Sequence, residues 1–154
     1  MMKIVQADLA LVDELAPLLD AYRQFYEQPA DLEKSRSYLH DRLANDQSVI
    51  FLARLNGAAA GFTQLYPTFC SVAAAPVFVL YDLFVASEAR RKGVATALMA
   101  RAQDFARGAG GAWLKLETAV TNAPGQALYE KIGWERDNDF YTYHYDLADE
   151  HGAA

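Results

Sequence analysis

The chain has 154 residues, a single cysteine and a formal net charge of −6. Its length suits one domain spanning residues 1–154, and a composition of 53% hydrophobic and 22% charged residues is that of a globular protein, not a disordered one. The acidic balance argues against nucleic acid, which needs a basic footprint. It is compatible with a cationic amine as substrate, and equally with a surface that is acidic only for solubility. Cys70 can form no intrachain disulfide and has no sequence partner that would make it a nucleophile. The opening Met1-Met2-Lys3-Ile4-Val5-Gln6 lacks the apolar core of a signal peptide, and no apolar run has the length of a membrane span. A cytoplasmic protein without a membrane partner is the expectation.

Residues 3–7 read as a first strand. Asp8 is placed to cap a helix running to about residue 27, with Leu9, Val12, Leu15, Ala16 and Leu19 at helical spacing. After Pro29 a second helix starts near Asp31, puts Leu32, Ser35, Leu39 and Leu43 on one face, and ends at Asn45-Asp46-Gln47. Residues 48–55 form a strand, Asn56-Gly57 signals a hairpin turn, and residues 58–66 return as the partner. Pro67 ends that strand and residues 68–76 read as a loop. Residues 77–85 are nearly all apolar, as in a central strand buried on both faces. A helix over 94–107 carries Val94, Leu98, Ala102 and Phe105 on one face and stops at Ala109-Gly110-Gly111. Residues 113–118 read as a strand, 124–132 as a short helix capped by Gly133, and 134–147 as one or two last strands. Tyr141, Tyr143 and Tyr145 share one face of that segment and His144 takes the other. The order β-α-α-β-β-β-α-β-α-β makes an α/β domain with a mixed sheet. Three strands in succession exclude a doubly wound topology.

The segment Arg90-Arg91-Lys92-Gly93-Val94-Ala95-Thr96 joins the apolar strand to the helix that follows. Glycine lets the backbone approach a ligand, and the first-turn N–H groups of the helix carry partial positive charge. Such a place suits phosphate, though a solvated basic helix entry has the same appearance. Neither a G-x-G-x-x-G fingerprint nor a P-loop is present. His40, His144 and His151 have no ligand spacing, so no metal is expected. Asp82 is an acid inside an apolar strand, where a charge needs a reason. It either meets a substrate amine or pairs with an arginine.

Arg90-x-x-Gly93-x-Ala95 resembles the [Q/R]-x-x-G-x-[G/A] signature of the GNAT acetyltransferase superfamily, and it follows Leu80-Tyr81-Asp82-Leu83-Phe84-Val85 as that family has it. Asn122-x-x-Gly125-x-Ala127-Leu128-Tyr129-x-x-x-Gly133-Trp134 is similar to the family's second motif. The resemblance covers essentially the whole chain. It implies the GNAT acyl-CoA N-acyltransferase fold, with a splayed central sheet, and acetyl-CoA as co-substrate. The coenzyme's pyrophosphate would sit at Arg90, Arg91, Lys92, Gly93, Val94, Ala95 and Thr96. Its pantetheine arm would pair with Leu83, Phe84 and Val85, and the N–H of Leu83 or Phe84 would meet the developing oxyanion. Asn122 would reach toward the coenzyme, or cap the helix it precedes. Tyr129 would protonate the departing thiolate as general acid. Asp82, Glu117 or water held by Tyr81 would take the amine's proton.

The acceptor strands are similar to those of spermidine/spermine acetyltransferases, with one departure: the glutamate proposed as base in those enzymes is Tyr81 here, and the following aspartate remains as Asp82. A small cationic amine is thus the leading expectation, with Glu27, Asp31 and Glu33 as cation-facing or merely solvated acids. Transfer to a protein lysine or N-terminus is the alternative. A non-catalytic acyl-CoA sensor is an alternative of another class. Related enzymes dimerise through their last strands, which makes a homodimer the expected assembly.

Overall fold

The computed structural model describes residues 1–148. They form two compact units, Met1–Glu117 and the remainder from Thr118. The first unit holds a five-stranded sheet in the order β1-β2-β3-β4-β5. Its strands are β1 (Met2–Gln6), β2 (Val49–Leu55), β3 (Ala58–Cys70), β4 (Ala75–Val85) and β5 (Leu114–Lys115). Helices α1 (Val12–Phe25) and α2 (Leu32–Ala44) follow β1, and α3 (Val94–Gly108) follows β4. The first four strands pair antiparallel and β5 joins β4 in parallel, so the sheet is mixed.

Local chemistry explains most of the boundaries. Asp8 accepts a hydrogen bond from the Ala10 N–H at the entry to the first helical segment. Asp31 accepts one from the Lys34 N–H and caps α2. Asn56 and Gly57 both take positive φ, 53° and 85°, as a tight hairpin turn requires. One face of the sheet packs under α1 and α2: Val12, Leu15, Leu19 and Leu39 meet Ile50, Leu52 and Phe62. On the other face, Phe105 of α3 lies edge-on to Phe51 and Phe78, with centroids 5.8 and 5.5 Å away. Asp20, buried on α1, accepts from Gln24 Nε2, the Asp31 N–H and Ser35 Oγ, and so fixes the connection between the two helices.

Three boundaries differ from expectation. Residues 68–76 are not a loop: β3 continues to Cys70 and β4 begins at Ala75, leaving only a short turn. Pro67 is tolerated because β2 pairs with β3 only as far as Leu65, so Pro67 sits on what is locally an edge strand. The strand expected over 113–118 contracts to Leu114–Lys115. Residues 134–147, read from the sequence as one or two last strands, carry none. Alternation of tyrosines specifies a face but supplies no ladder partner.

Arg54 of β2 forks onto Glu14 of α1, with Nε to Oε2 at 2.8 Å and Nη2 to Oε1 at 2.7 Å. The hydrogen bond from Arg54 holds the Glu14 carboxyl below the usual carboxylate range. A depressed pKa contributes stability that is full above the unfolded-state value and lost as pH falls through the folded-state value. Glu14→Gln is therefore expected to lower Tm at pH 7 by up to about 3 °C. The gap to wild type closes below about pH 4 in calorimetric scans.

Candidate functional site

The loop between β4 and α3 leaves the first turn of α3 without a side-chain cap. Gly93, the N-cap of α3, has φ 80°, and no side chain caps this helix, unlike α2. The N–H groups of its first turn therefore keep their capacity for a ligand. Arg91 also sits in the left-handed region, at φ 62°, a conformation that costs a non-glycine residue about 1 kcal/mol or more. Strain of this kind is retained where a particular backbone shape is needed. Arg90 folds back, its Nε donating to the Val85 carbonyl at 3.1 Å, with its guanidinium 5.9 Å from the centre of the Phe84 ring. Arg91 and Lys92 are exposed, as are Gly93 and Thr96, while Val94 is buried in the core and Ala95 is half-buried.

The strand leading to this loop has a free edge. β5 pairs with β4 only at Phe78↔Leu114 and Val79↔Lys115, whereas β3 pairs with β4 as far as Val85. From Leu80 onward, then, β4 has a ladder on one side and none from β5 on the other. Leu83, Phe84 and Val85 lie on this stretch, half-buried. Gly61 of β3 lets the pair close up, since a Cβ there would stand 2.6 Å from the Phe84 carbonyl oxygen. An open groove of about 770 Å³ runs alongside, lined by Pro17, Ala21 and Phe25 of α1 with Phe84, Ala86 and Arg90.

A β-bulge marks the middle of β4. Gln64 pairs with Asp82 but Leu65 pairs with Leu80, so Tyr81 is the extra residue. The bulge turns Tyr81 and Asp82 toward the same helical layer. The Tyr81 ring packs on Tyr66 at 5.4 Å, and the Tyr66 hydroxyl is 2.5 Å from that of Tyr38 on α2. Asp82, buried, accepts from Gln64 Nε2 at 2.7 Å and from the hydroxyl of Tyr22 on α1. Burial pushes the Asp82 carboxyl up, against the pull of those two hydrogen bonds. Burial, followed by the bond to Tyr38, pushes the Tyr66 phenol far above its ordinary value, so it stays protonated. Among the described residues Asp82 belongs to no ion pair, which removes a structural arginine partner as its reason for being there. Gln64 Oε1 is buried without a hydrogen-bond partner among the described residues.

The second unit holds the other motif. Helix α4 (Ala123–Lys131) starts at Asn122, whose Oδ1 accepts from the Gly125 N–H at 3.2 Å while its Nδ2 donates to Thr118 Oγ1 at 2.9 Å. Its Oδ1 is therefore engaged as the cap of α4 and its Nδ2 by the Thr118 hydroxyl. A Cβ on residue 125 would fall 2.4 Å from that amide, which accounts for the glycine. Tyr129 is half-buried, its ring 6.5 Å from Trp134, and its carbonyl accepts from the Trp134 N–H.

Tyr81 and Asp82 are thus brought together, with the acids Glu27 and Glu117 elsewhere. Glu27 is exposed and ends α1 in a left-handed turn, φ 65°. Glu117 is exposed and lies past the end of β5. Asp31 is occupied as a cap. Tyr22, Gln64 and Tyr66 were not singled out from the sequence. Gln64 alone left a trace there, as an amide inside the apolar run Phe62 to Leu65. No group of three or more His, Cys, Asp or Glu side chains that could hold a metal occurs among the described residues, and His151 lies outside them.

Comparison with known proteins converges on one family. The model of the acetyltransferase (GNAT) family matches residues 15–134. An uncharacterized N-acetyltransferase of Bacillus subtilis is 43% identical over 92% of this chain and 95% of its own. An aminoglycoside N(6′)-acetyltransferase of Serratia marcescens is 30% identical over 66% of this chain and 73% of its own. The crystal structure of a probable acetyltransferase superposes with a TM-score of 0.90 at 40% identity, over 94% of this chain and 97% of its own. The chain belongs to the GNAT family of N-acetyltransferases.

Proposed function

We propose that this enzyme transfers acetyl directly from acetyl-CoA to the primary amine of a small cationic substrate: a polyamine, a diamine or a lysine-like amino acid. The observation that carries the reading is the free edge of β4 ending at an uncapped helix N-terminus. The peptide groups of Leu83 to Val85 offer hydrogen bonds to the amide-bearing pantetheine arm. The cradle from Arg90 to Thr96 offers N–H groups and two exposed cations to the pyrophosphate. The acceptor end is acidic and aromatic, with Asp82 beside Tyr22, Tyr66 and Tyr81. That chemistry suits an ammonium better than a neutral group. The Serratia relative is named for aminoglycosides, which are also polyamines by chemistry.

In the reaction the substrate ammonium gives one proton to the ionised Asp82 carboxylate, and the neutral amine attacks the thioester carbonyl carbon. A C–N bond forms as the C–S bond breaks. Tyr129 donates its phenolic proton to the leaving thiolate, the second amine proton restores the phenol, and Asp82 gives the proton it took to solvent. One ammonium and one thioester thus give one amide, one thiol and one released proton. The same reading keeps the cytoplasmic homodimer expected from the sequence.

Thiol release from acetyl-CoA, measured with spermidine, spermine, diamines, lysine, an aminoglycoside and a basic peptide, tests the reading. Release that saturates with one of the small amines is the expected result. Release with the peptide alone would move the acceptor to protein lysine, and release with none would overturn the small-amine assignment.

A further inference from the structure

Asp82 is held from two sides by neutral donors. Gln64 is fully buried, lies opposite Asp82 in the sheet register and donates to Oδ2 at 2.7 Å. Tyr22 donates its hydroxyl from α1. Its ring is fixed edge-on against Phe62, Phe84 and Tyr26, with centroids 5.9, 5.7 and 5.1 Å away. Asp20, buried on α1 and also without a cation among the described residues, is satisfied by three neutral donors that tie α1 to α2, whereas Asp82 has two, and a buried charge that is neither paired nor fully hydrogen-bonded is costly. No cation is paired with Asp82 among the described residues. The groups that face it are Tyr22 from α1, Gln64 and Tyr66 from β3, and Tyr81 beside it on β4. Tyr38 and Arg42 of α2 lie behind Tyr66, the Arg42 guanidinium 4.7 Å from the Tyr38 ring centre. A carboxylate can accept about four hydrogen bonds, so two donors leave it capacity for an N–H from outside the protein.

We propose that Tyr22 and Gln64 are positioning residues for the acceptor amine: they aim the Asp82 carboxylate and keep it ionisable without neutralising it, so that the incoming ammonium is its counter-ion. This rests on the reading of Asp82 as the amine-facing carboxylate of the proposed reaction. The two donors do different work. Gln64 fixes the direction of the carboxyl group through the sheet. Tyr22 ties it to α1, whose C-terminal turn leads into the connection pinned by Asp20. A change in the placement of α1 would thereby reach the base directly.

Tyr22→Phe tests this, because it keeps the ring packing and removes a single donor. Two quantities are measured on wild type and variant: the titration of the Asp82 carboxyl carbon by NMR, assigned with Asp82→Asn, and the pH profile of kcat/KM for spermidine. Losing a donor to the charged form raises the pH at which the carboxyl titrates. The acidic limb of the profile is expected to move up by the same amount, with kcat/KM at pH 7 down about 10-fold. KM for acetyl-CoA stays unchanged. An Asp82 titration that is the same in both proteins, in an enzyme that is active, overturns the positioning role alone. A change in KM for acetyl-CoA that matches the loss would make Tyr22 a packing residue and overturn it as well. A titration that moves in a protein transferring acetyl to no amine overturns the role of Asp82, and with it the proposed function.

Discussion

Asp82→Asn is expected to lower kcat/KM for the acceptor amine by about 10²- to 10⁴-fold, and to raise the melting temperature at pH 7. The two effects have one cause. Burial disfavours the charged form of Asp82, and the bonds from Gln64 and Tyr22 offset this only in part, so its pKa in the fold lies above its unfolded value. For a carboxyl shifted in that direction, ionisation opposes folding. The penalty is absent below the unfolded-state pKa, where both states hold the proton, and is complete above the folded-state pKa. Asparagine has the same shape without the charge. The gain in Tm should therefore be seen at pH 7 and above, at roughly 2–4 °C for each kcal/mol relieved, and should shrink toward pH 4. Scanning calorimetry at several pH values, beside thiol-release kinetics, gives both readouts. A fall in activity with a fall in Tm would mean that Asp82 supports the fold. A rise in Tm without loss of activity would remove it from the reaction.

Local signals were legible wherever a single residue decides the backbone. Asp8 and Asp31 occupy helix entries, and Asn56-Gly57 makes the hairpin turn. Gly93 takes the left-handed conformation at the entry to α3. The splay was legible only through family resemblance, because the length of β5 depends on where β4 leaves it. The run 77–85 looked uniformly buried, yet the bulge at Tyr81 breaks its phase and leaves that ring 63% exposed beside a buried Asp82. A bulge depends on the partner strand, so one strand's pattern cannot reveal it. Tyr22 escaped for a related reason. It looks like one more apolar position on an amphipathic helix, and only the tertiary contact shows its hydroxyl meeting a carboxylate. The acids Glu27, Asp31 and Glu33 invited a reading by charge. Asp31 proved to be a cap, a role that spacing three residues before Lys34 permits but does not demand.

Tyr129→Phe is expected to reduce kcat by about 10²- to 10⁴-fold while leaving Tm and KM for acetyl-CoA nearly unchanged. The variant keeps the aromatic ring, so the contact with Trp134 on the same unit survives. Only the hydroxyl is lost. A phenol can supply a proton at pH 7 to a thiolate as it departs. Without it the thiolate must leave unprotonated or wait for water. The loss should therefore depend on the leaving group. An acetyl thioester of an aryl thiol, whose thiolate is a weaker base, needs no acid, and with it the variant should recover most of the wild-type rate. This comparison separates acid catalysis from misplacement of the substrate. A displaced substrate slows both thioesters alike, whereas a missing proton slows only the one whose leaving group needs it. An equal loss with both would take Tyr129 out of the acid role and leave it a residue of the α4 fold.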